Sequence, residues 1–299
     1  MPEGVAHITD FPAAWPGRAA GVCRQLEAGA ILYLTGIPFD FPQADIDFLL
    51  SQRRGESRIH KNVSYRPAQD VLRGAGVEGD DLARLHAVMR GYSRAVAEFT
   101  ARLLAPYAGR WTLDYASFRP LEEEGRGLPL HKRNDLLHVD AFPSRPTRGA
   151  RILRVFTNIG PRPRVWLTAQ RFPELAREFA ESAGLRRFAD SGAGALAPLQ
   201  RALRALGLPV TERSAYDRFM LRFHDWLKEN SAFQARPSKI RTEFPPLSTW
   251  LVMTDTVPHA VLSGQYALEQ TFIVPVDALQ APESAPIRVL EKIAGRAMA

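Results

Sequence analysis

The chain has 299 residues, 45% hydrophobic and 24% charged, which fits a soluble globular protein with a sizeable core. Its formal charge of +7 favours an anionic partner, and a single cysteine, Cys23, excludes an internal disulfide and a multi-thiolate zinc site. No apolar run reaches the ~20 residues of a membrane-spanning helix, and "MPEGVAHITD" lacks the basic and apolar regions of a secretory signal, so a reducing cytoplasm is the expected location.

In chain order, "AAWPGRAAGVCRQLEAG" reads as a helix ending at Gly29, and "AILYLTGI" follows as a strand. "DDLARLHAVMRGYSRAVAEFTARLLAPY" has the clearest helical period, with Leu82, Leu85, Met89, Tyr92, Val96, Phe99 and Leu103 on one stripe and Asp80 placed to cap. From Trp111 the texture changes to short extended runs: "WTLDYASFRP", "DLLHVDAF", "RILRVFTNIG" and "RVWLTA", then "STWLVMTDT" and "YALEQTFIVP". Short strands bounded by Gly and Pro suggest a β-sandwich or barrel. Between the two strand groups, residues from about 172 to 232 read as a helical insert, clearest in "LAPLQRALRALG" and "AYDRFMLRFHDWLKEN". In the second of these Tyr216, Phe219, Met220 and Phe223 form the apolar face, and His224 lies beside it as a substrate contact or an ordinary surface residue. With no repeat and no low-complexity linker, the chain reads as one domain, 1–299: an α/β portion over 1–110 and a β core over 111–278 that carries the insert.

The chemistry concentrates in "NDLLHVDAFPSRP". Residues two apart on a strand share a face, so His138 and Asp140 converge, as a surface ion pair or as two ligands of a metal centre. His259 stands 119 residues beyond Asp140 at the edge of the last strand pair, while His7, His60, His86 and His131 lie in polar stretches, on a helix or in a loop. His-x-Asp with a distant His is the layout of the 2-His-1-carboxylate triad, which leaves one face of Fe(II) open for a 2-oxo acid and O₂. No His-Glu-x-x-His pattern supports a zinc hydrolase instead.

A buried 2-oxo diacid also needs a cation for its distal carboxylate. Nothing basic follows His259 until Arg288, and Gln270, eleven residues past it, offers a hydrogen bond in that place. Arg154 in "RILRVFTNIG" is the expected cation, sharing a face with Phe156 and Asn158 while Arg151 takes the other.

"LLHVDAFPSRPTRGARILRVFTNI", "RSAYDRFMLRFHDWLK" and "FPPLSTWLVMTDTVPHAVLSGQYALEQTFIVP" together resemble the Kdo hydroxylases of Gram-negative bacteria, over about 30–275. The loop within "NIGPRPRVW" departs from the pattern. The resemblance implies a mainly β fold with flanking helices and a double-stranded β-helix (jelly-roll, cupin-like) core, with His138, Asp140 and His259 as iron ligands. It implies Fe(II), 2-oxoglutarate and O₂ as cofactor and co-substrates. The reaction would be hydroxylation at C3 of 3-deoxy-D-manno-oct-2-ulosonic acid (Kdo) on lipid A or a related lipopolysaccharide precursor, giving Ko. Lys132, Arg133, Arg145 and Arg148 flank the motif as expected contacts to the anionic acceptor, and peripheral attachment to the cytoplasmic face of the inner membrane follows from a lipid substrate. Nucleic acid is not an expected partner, because no basic heptad region, Cys/His finger or RNA-binding aromatic signature is present. Two alternatives stay open: the same core acting on a protein or small metabolite, and a non-catalytic jelly-roll sugar- or lipid-binding protein.

Overall fold

A computed structural model describes residues 4–8, 17–52, 62–125, 127–190 and 212–299. Its elements in chain order are β1 (Val5–His7), α1 (Ala19–Glu27), β2 (Ile31–Leu34), α2 (Gln43–Ser51), β3 (Val63–Arg66), β4 (Val71–Arg73), α3 (Gly79–Leu103), β5 (Thr112–Arg119), β6 (Arg151–Asn158), β7 (Arg164–Thr168), α4 (Phe172–Phe179), α5 (Leu185–Asp190), α6 (Ala215–Glu229), α7 (Ser231–Gln234), β8 (Ile240–Phe244), β9 (Ser248–Met253), β10 (His259–Ser263), β11 (Ala267–Val274) and α8 (Pro286–Ala294). Eight strands form one sheet in the order β1-β2-β9-β6-β11-β5-β3-β4, and a smaller sheet runs β10-β7-β8. The β1–β2 pair is parallel and the other strand pairs are antiparallel. Two facing antiparallel sheets, with successive core strands crossing between them, make the double-stranded β-helix. The N-terminal third adds β1 and β2 to one edge of its large sheet and β3 and β4 to the other.

Alternation along the strands sorts side chains into two cores. Leu153 and Val155 on β6, Leu268 and Phe272 on β11, and Ala116 and Phe118 on β5 pack outward with the α3 residues Met89, Tyr92, Val96 and Phe99. Phe156, Trp250 and Val252 point inward and meet Trp166, Phe244 and Val261 of the small sheet. Phe244 and Trp250 stack at 4.0 Å between ring centroids, filling the closed end of the sandwich with aromatic surface.

The stripe on α3 begins one turn later than its sequence period suggests, since Leu82 is 38% exposed and Leu85 is the first buried member. Asp80 does not cap that helix. Glu78 holds the N-cap position without a side-chain bond, and Asp80 and Asp81 sit in the first turn, where the helix dipole favours acids. Ser214 and Asp217 close a reciprocal capping box on α6, which starts that helix where the sequence pattern places it. The stretch "LAPLQRALRALG" falls outside the described residues; the rest of the insert supplies α4, α5, α6 and α7. Among the described residues no helix is long and apolar enough to cross a membrane.

Candidate metal centre

The segment expected as a strand around His138 forms a single bridge instead. The backbones of His138 and His259 exchange hydrogen bonds, with His138 N–H donating to His259 O at 3.1 Å and His259 N–H returning to His138 O at 2.9 Å. Two residues on, the Asp140 N–H donates to Thr254 O at 2.9 Å. Alternation then sends Leu137 and Val139 into the core and turns His138 and Asp140 toward His259.

Among the described residues, His138, Asp140 and His259 offer ligand atoms that all lie within 4.8 Å of one another, and all three residues line one cavity. The Nδ1 of His138 meets Leu136 O at 2.7 Å, and that of His259 meets Val257 O at 2.9 Å. A carbonyl can only accept, so each Nδ1 carries the proton and each Nε2 presents a lone pair. His138 Nε2 and Asp140 Oδ1 stand 3.8 Å apart, too far to hydrogen-bond and suited to sharing an ion. Burial, reinforced by the neighbouring His259 and His224 rings and Lys228, holds His138 well below its ordinary pKa. Burial likewise lowers His259, despite the opposing pull of Asp140. Burial disfavours the Asp140 carboxylate, but Arg154, His259 and His138 outweigh it and keep the group well below the usual carboxylate range. Two neutral imidazoles and one ionised carboxylate are the protonation states a divalent metal requires, so the donor set fits iron in a facial triad.

Each ligand has its own flank. Trp166 stacks on His259, with centroids 5.0 Å apart and planes 20° from parallel. His224, reaching in from α6, sets its ring edge-on to His138 at 4.8 Å, its Nδ1–H donating to Val139 O. Arg154 places Nη2 3.0 Å from Asp140 Oδ2 and donates through Nη1 to Glu269 Oε1 at 2.5 Å. Glu269 also takes Arg119 Nη2 at 2.6 Å. Burial works against its charge, yet Arg119 and Arg154 hold it below the ordinary range.

The cavity around the triad measures about 280 Å³ and is lined by Arg119, Arg154, Phe156, Arg164 and Trp166 on the sheet side. Toward the surface it is lined by Asn62, His131, Lys132 and Asn134, and the α6 residues His224 and buried Lys228 complete the lining. A larger cavity, about 410 Å³, between Gly29, Gln170, Lys239 and Val257 includes none of the ligands. Arg164 is 1% exposed, and burial pushes its pKa down to about 10, which leaves it charged at neutral pH. Its Nη1 donates to Gly264 O at 3.0 Å, and a Cβ on Gly264 (φ +117°) would press within 3.0 Å of the Arg164 backbone. Only glycine allows that approach.

Several sequence expectations are corrected. Gln270 faces away from the cavity: its amide accepts from Ser93 Oγ at 2.7 Å and donates to Asp114 O at 2.8 Å, tying β11 to α3 and β5. Asn158 shares the Arg154 face but serves the turn after β6, donating to Arg162 O and Phe244 O and accepting from the Gly160 N–H. Arg133 pairs with Asp135, Arg145 pairs with Asp114 across the Tyr115 ring, and exposed Arg148 lies off the cavity lining. Lys132 and His224 do line the cavity. Arg119, Arg164, Trp166, Lys228 and Glu269 were not foreseen. The one legible signal was Arg164-x-Trp166, which alternation places on the inward face of its strand.

Two imidazoles and a carboxylate on one rim of a double-stranded β-helix define a mononuclear metal oxygenase. The family model for 3-deoxy-D-manno-oct-2-ulosonic acid (Kdo) hydroxylase matches residues 13–297. The chain therefore belongs to the Kdo hydroxylase family. Similar crystal structures include the Kdo hydroxylase KdoO, a non-heme Fe(II) α-ketoglutarate-dependent dioxygenase, in complex with α-ketoglutarate and Fe(III), at 31% identity, TM-score 0.84, and coverage of 99% of this chain and 97% of that one. The cobalt(II) complex of KdoO gives 32% identity, TM-score 0.85 and the same coverage. Its complex with succinate and Fe(III) gives 31% identity, TM-score 0.84 and again 99% and 97% coverage. No curated protein matches the chain.

Proposed function

We propose that this protein is an Fe(II)- and 2-oxoglutarate-dependent dioxygenase that hydroxylates C3 of Kdo on lipid A or a lipopolysaccharide precursor. The observation that carries the reading is the convergence of His138, Asp140 and His259 at the rim of a cavity whose inner wall holds Arg119, Arg154 and Arg164. His138, Asp140 and His259 would hold the iron, each imidazole aimed by its Nδ1–H bond to a backbone carbonyl. The chemistry supplied by bound Fe(II) is activation of O₂, coupled to oxidative decarboxylation of 2-oxoglutarate to succinate and CO₂, for insertion of one oxygen atom into the C3–H bond.

The residues of this chain do the positioning. Arg154 and Arg164 supply guanidinium charge for the distal carboxylate of 2-oxoglutarate. Arg154 also steadies Asp140 by pairing with its Oδ2, so its role is wider than the co-substrate anchor read from the sequence. Arg164 is the deeper of the two, and its side-chain partner Glu123 stands 3.4 Å away. Phe156 and Trp166 close the cavity on an apolar side, which keeps water from a reactive centre. At the mouth, Lys132 and His224 meet the acceptor. The formal charge of +7 supports peripheral attachment to an anionic leaflet.

The test is incubation with Fe(II), 2-oxoglutarate, ascorbate and Kdo-lipid A, followed by mass spectrometry of the glycolipid and assay of succinate. Succinate formed equally with and without the glycolipid, and no oxygenated product, would overturn the assignment of acceptor.

A further inference from the structure

We infer that Lys228 on α6, together with His224 one turn before it, forms the subsite that recognises the carboxylate of the sugar acid. This deepens the hydroxylase reading above and rests on it. Lys228 is 4% exposed, an unusual burial for a lysine, and it lines the metal-centre cavity rather than the packed core of the helix. Its Nζ donates to His131 O at 3.1 Å, which fixes the ammonium between the exposed mouth residues His131 and Lys132 and the buried ligands. Residues four apart on a helix share a face, so His224 and Lys228 enter the cavity side by side. His224 spends its Nδ1–H on Val139 O, leaving Nε2 as an acceptor beside His138.

The chemistry of the acceptor calls for a cation at this place. In a 3-deoxy-2-ulosonic acid the carboxylate is C1, the anomeric carbon C2 and the deoxy carbon C3. The reacting carbon is thus two bonds from a fixed negative charge, and bringing C3 to the metal centre brings the carboxylate with it. The arginine wall lies on the Asp140 side, and two of its members, Arg119 and Arg154, are already clamped by Glu269. Lys228 lies on the His138 side, toward the mouth through which a lipid-borne sugar must enter. It shares one cavity lining with His138, His224 and His259. The two cationic walls therefore divide the two anions: 2-oxoglutarate on the arginine side and the sugar carboxylate on the lysine side. His224 Nε2 accepts from a sugar hydroxyl and orients the ring.

The test compares Kdo-lipid A with its Kdo carboxyl methyl ester, in wild type and in Lys228→Met, Lys228→Gln and Lys228→Arg, each checked for folding by thermal melting and Co(II) binding. A charge-assisted hydrogen bond predicts a preference of about tenfold or more for the free acid in wild type, carried in KM. The neutral variants lose that preference while KM for 2-oxoglutarate and Co(II) affinity stay unchanged, and Lys228→Arg retains it. Calorimetric titration with free Kdo shows the same ranking without turnover. A folded neutral variant that still prefers the free acid as strongly as wild type overturns the inference and leaves the hydroxylase reading intact. A wild type inactive on Kdo-lipid A overturns both.

Discussion

Arg154 Nη2 lies 3.0 Å from the Oδ2 of Asp140, so the cation proposed for the co-substrate also braces a proposed metal ligand. Glu269 completes the link by holding the opposite Nη of Arg154. Removing Arg154 strands the buried Asp140 carboxylate, since Glu269 keeps Arg119, and breaking such a pair costs about 3–5 kcal/mol. Arg154→Ala is expected to weaken Co(II) binding by about 10–100-fold, the range seen when a ligand loses its outer partner, as well as raising KM for 2-oxoglutarate. Calorimetric titration with Co(II) checks this. Unchanged cobalt affinity would mean that the Arg154–Asp140 pair does not steady the ligand.

Arg164 and Arg151 separate recognition from stability. Arg164→Met removes a cavity cation without touching Asp140, so KM for 2-oxoglutarate should rise about tenfold or more while Co(II) affinity holds. Arg151 never reaches the cavity: it is fully buried and its Nε donates to Asp255 Oδ2 at 2.8 Å. Arg151→Ala should lower folding stability by about 3–5 kcal/mol in urea titration and leave KM for 2-oxoglutarate of the folded protein unchanged.

Cys23 is a buried thiol whose pKa burial pushes up to about 12, partly offset by Tyr107. It stays protonated through neutral and mildly alkaline pH, and only the thiolate reacts. Modification by a disulfide reagent at pH 8 should therefore be negligible in the native protein and fast in urea. Native-state reaction at the rate of a free thiol would place Cys23 outside the α1 core.

If the basic surface docks on an anionic leaflet, attachment to Kdo-lipid A vesicles should weaken between low and high salt, because charges are screened beyond about 8–10 Å at physiological ionic strength. Co-sedimentation across a salt series measures it. Binding that ignores salt would assign the charge of +7 to solubility alone.

The His138–Asp140 pairing and the framework are legible because both follow from period, and His259 stands out by its place at the last strand pair. Alternation aligned His138 with Asp140, and the three-four step of Met89, Tyr92, Val96 and Phe99 revealed α3. The strands β3, β4 and β8 escaped notice, being three to five residues long and mixed in polarity. Gln270 was misplaced for a different reason: chain distance from His259 says nothing about strand phase, and one residue decides whether β11 presents Glu269 or Gln270 to the cavity. Among 39 lysines and arginines, sequence alone had no means of singling out Arg119, Arg164 and Lys228, which are brought together by β5, β7 and α6 from distant parts of the chain.

The central claim is tested most directly by the product. Wild-type protein supplied with Fe(II), 2-oxoglutarate and ¹⁸O₂ should add one labelled oxygen atom at C3 of Kdo-lipid A, with succinate formed in equal amount. His259→Ala, folded but lacking one ligand, should add none. An unlabelled glycolipid from iron- and 2-oxoglutarate-loaded wild type, or full labelling by His259→Ala, would contradict the account.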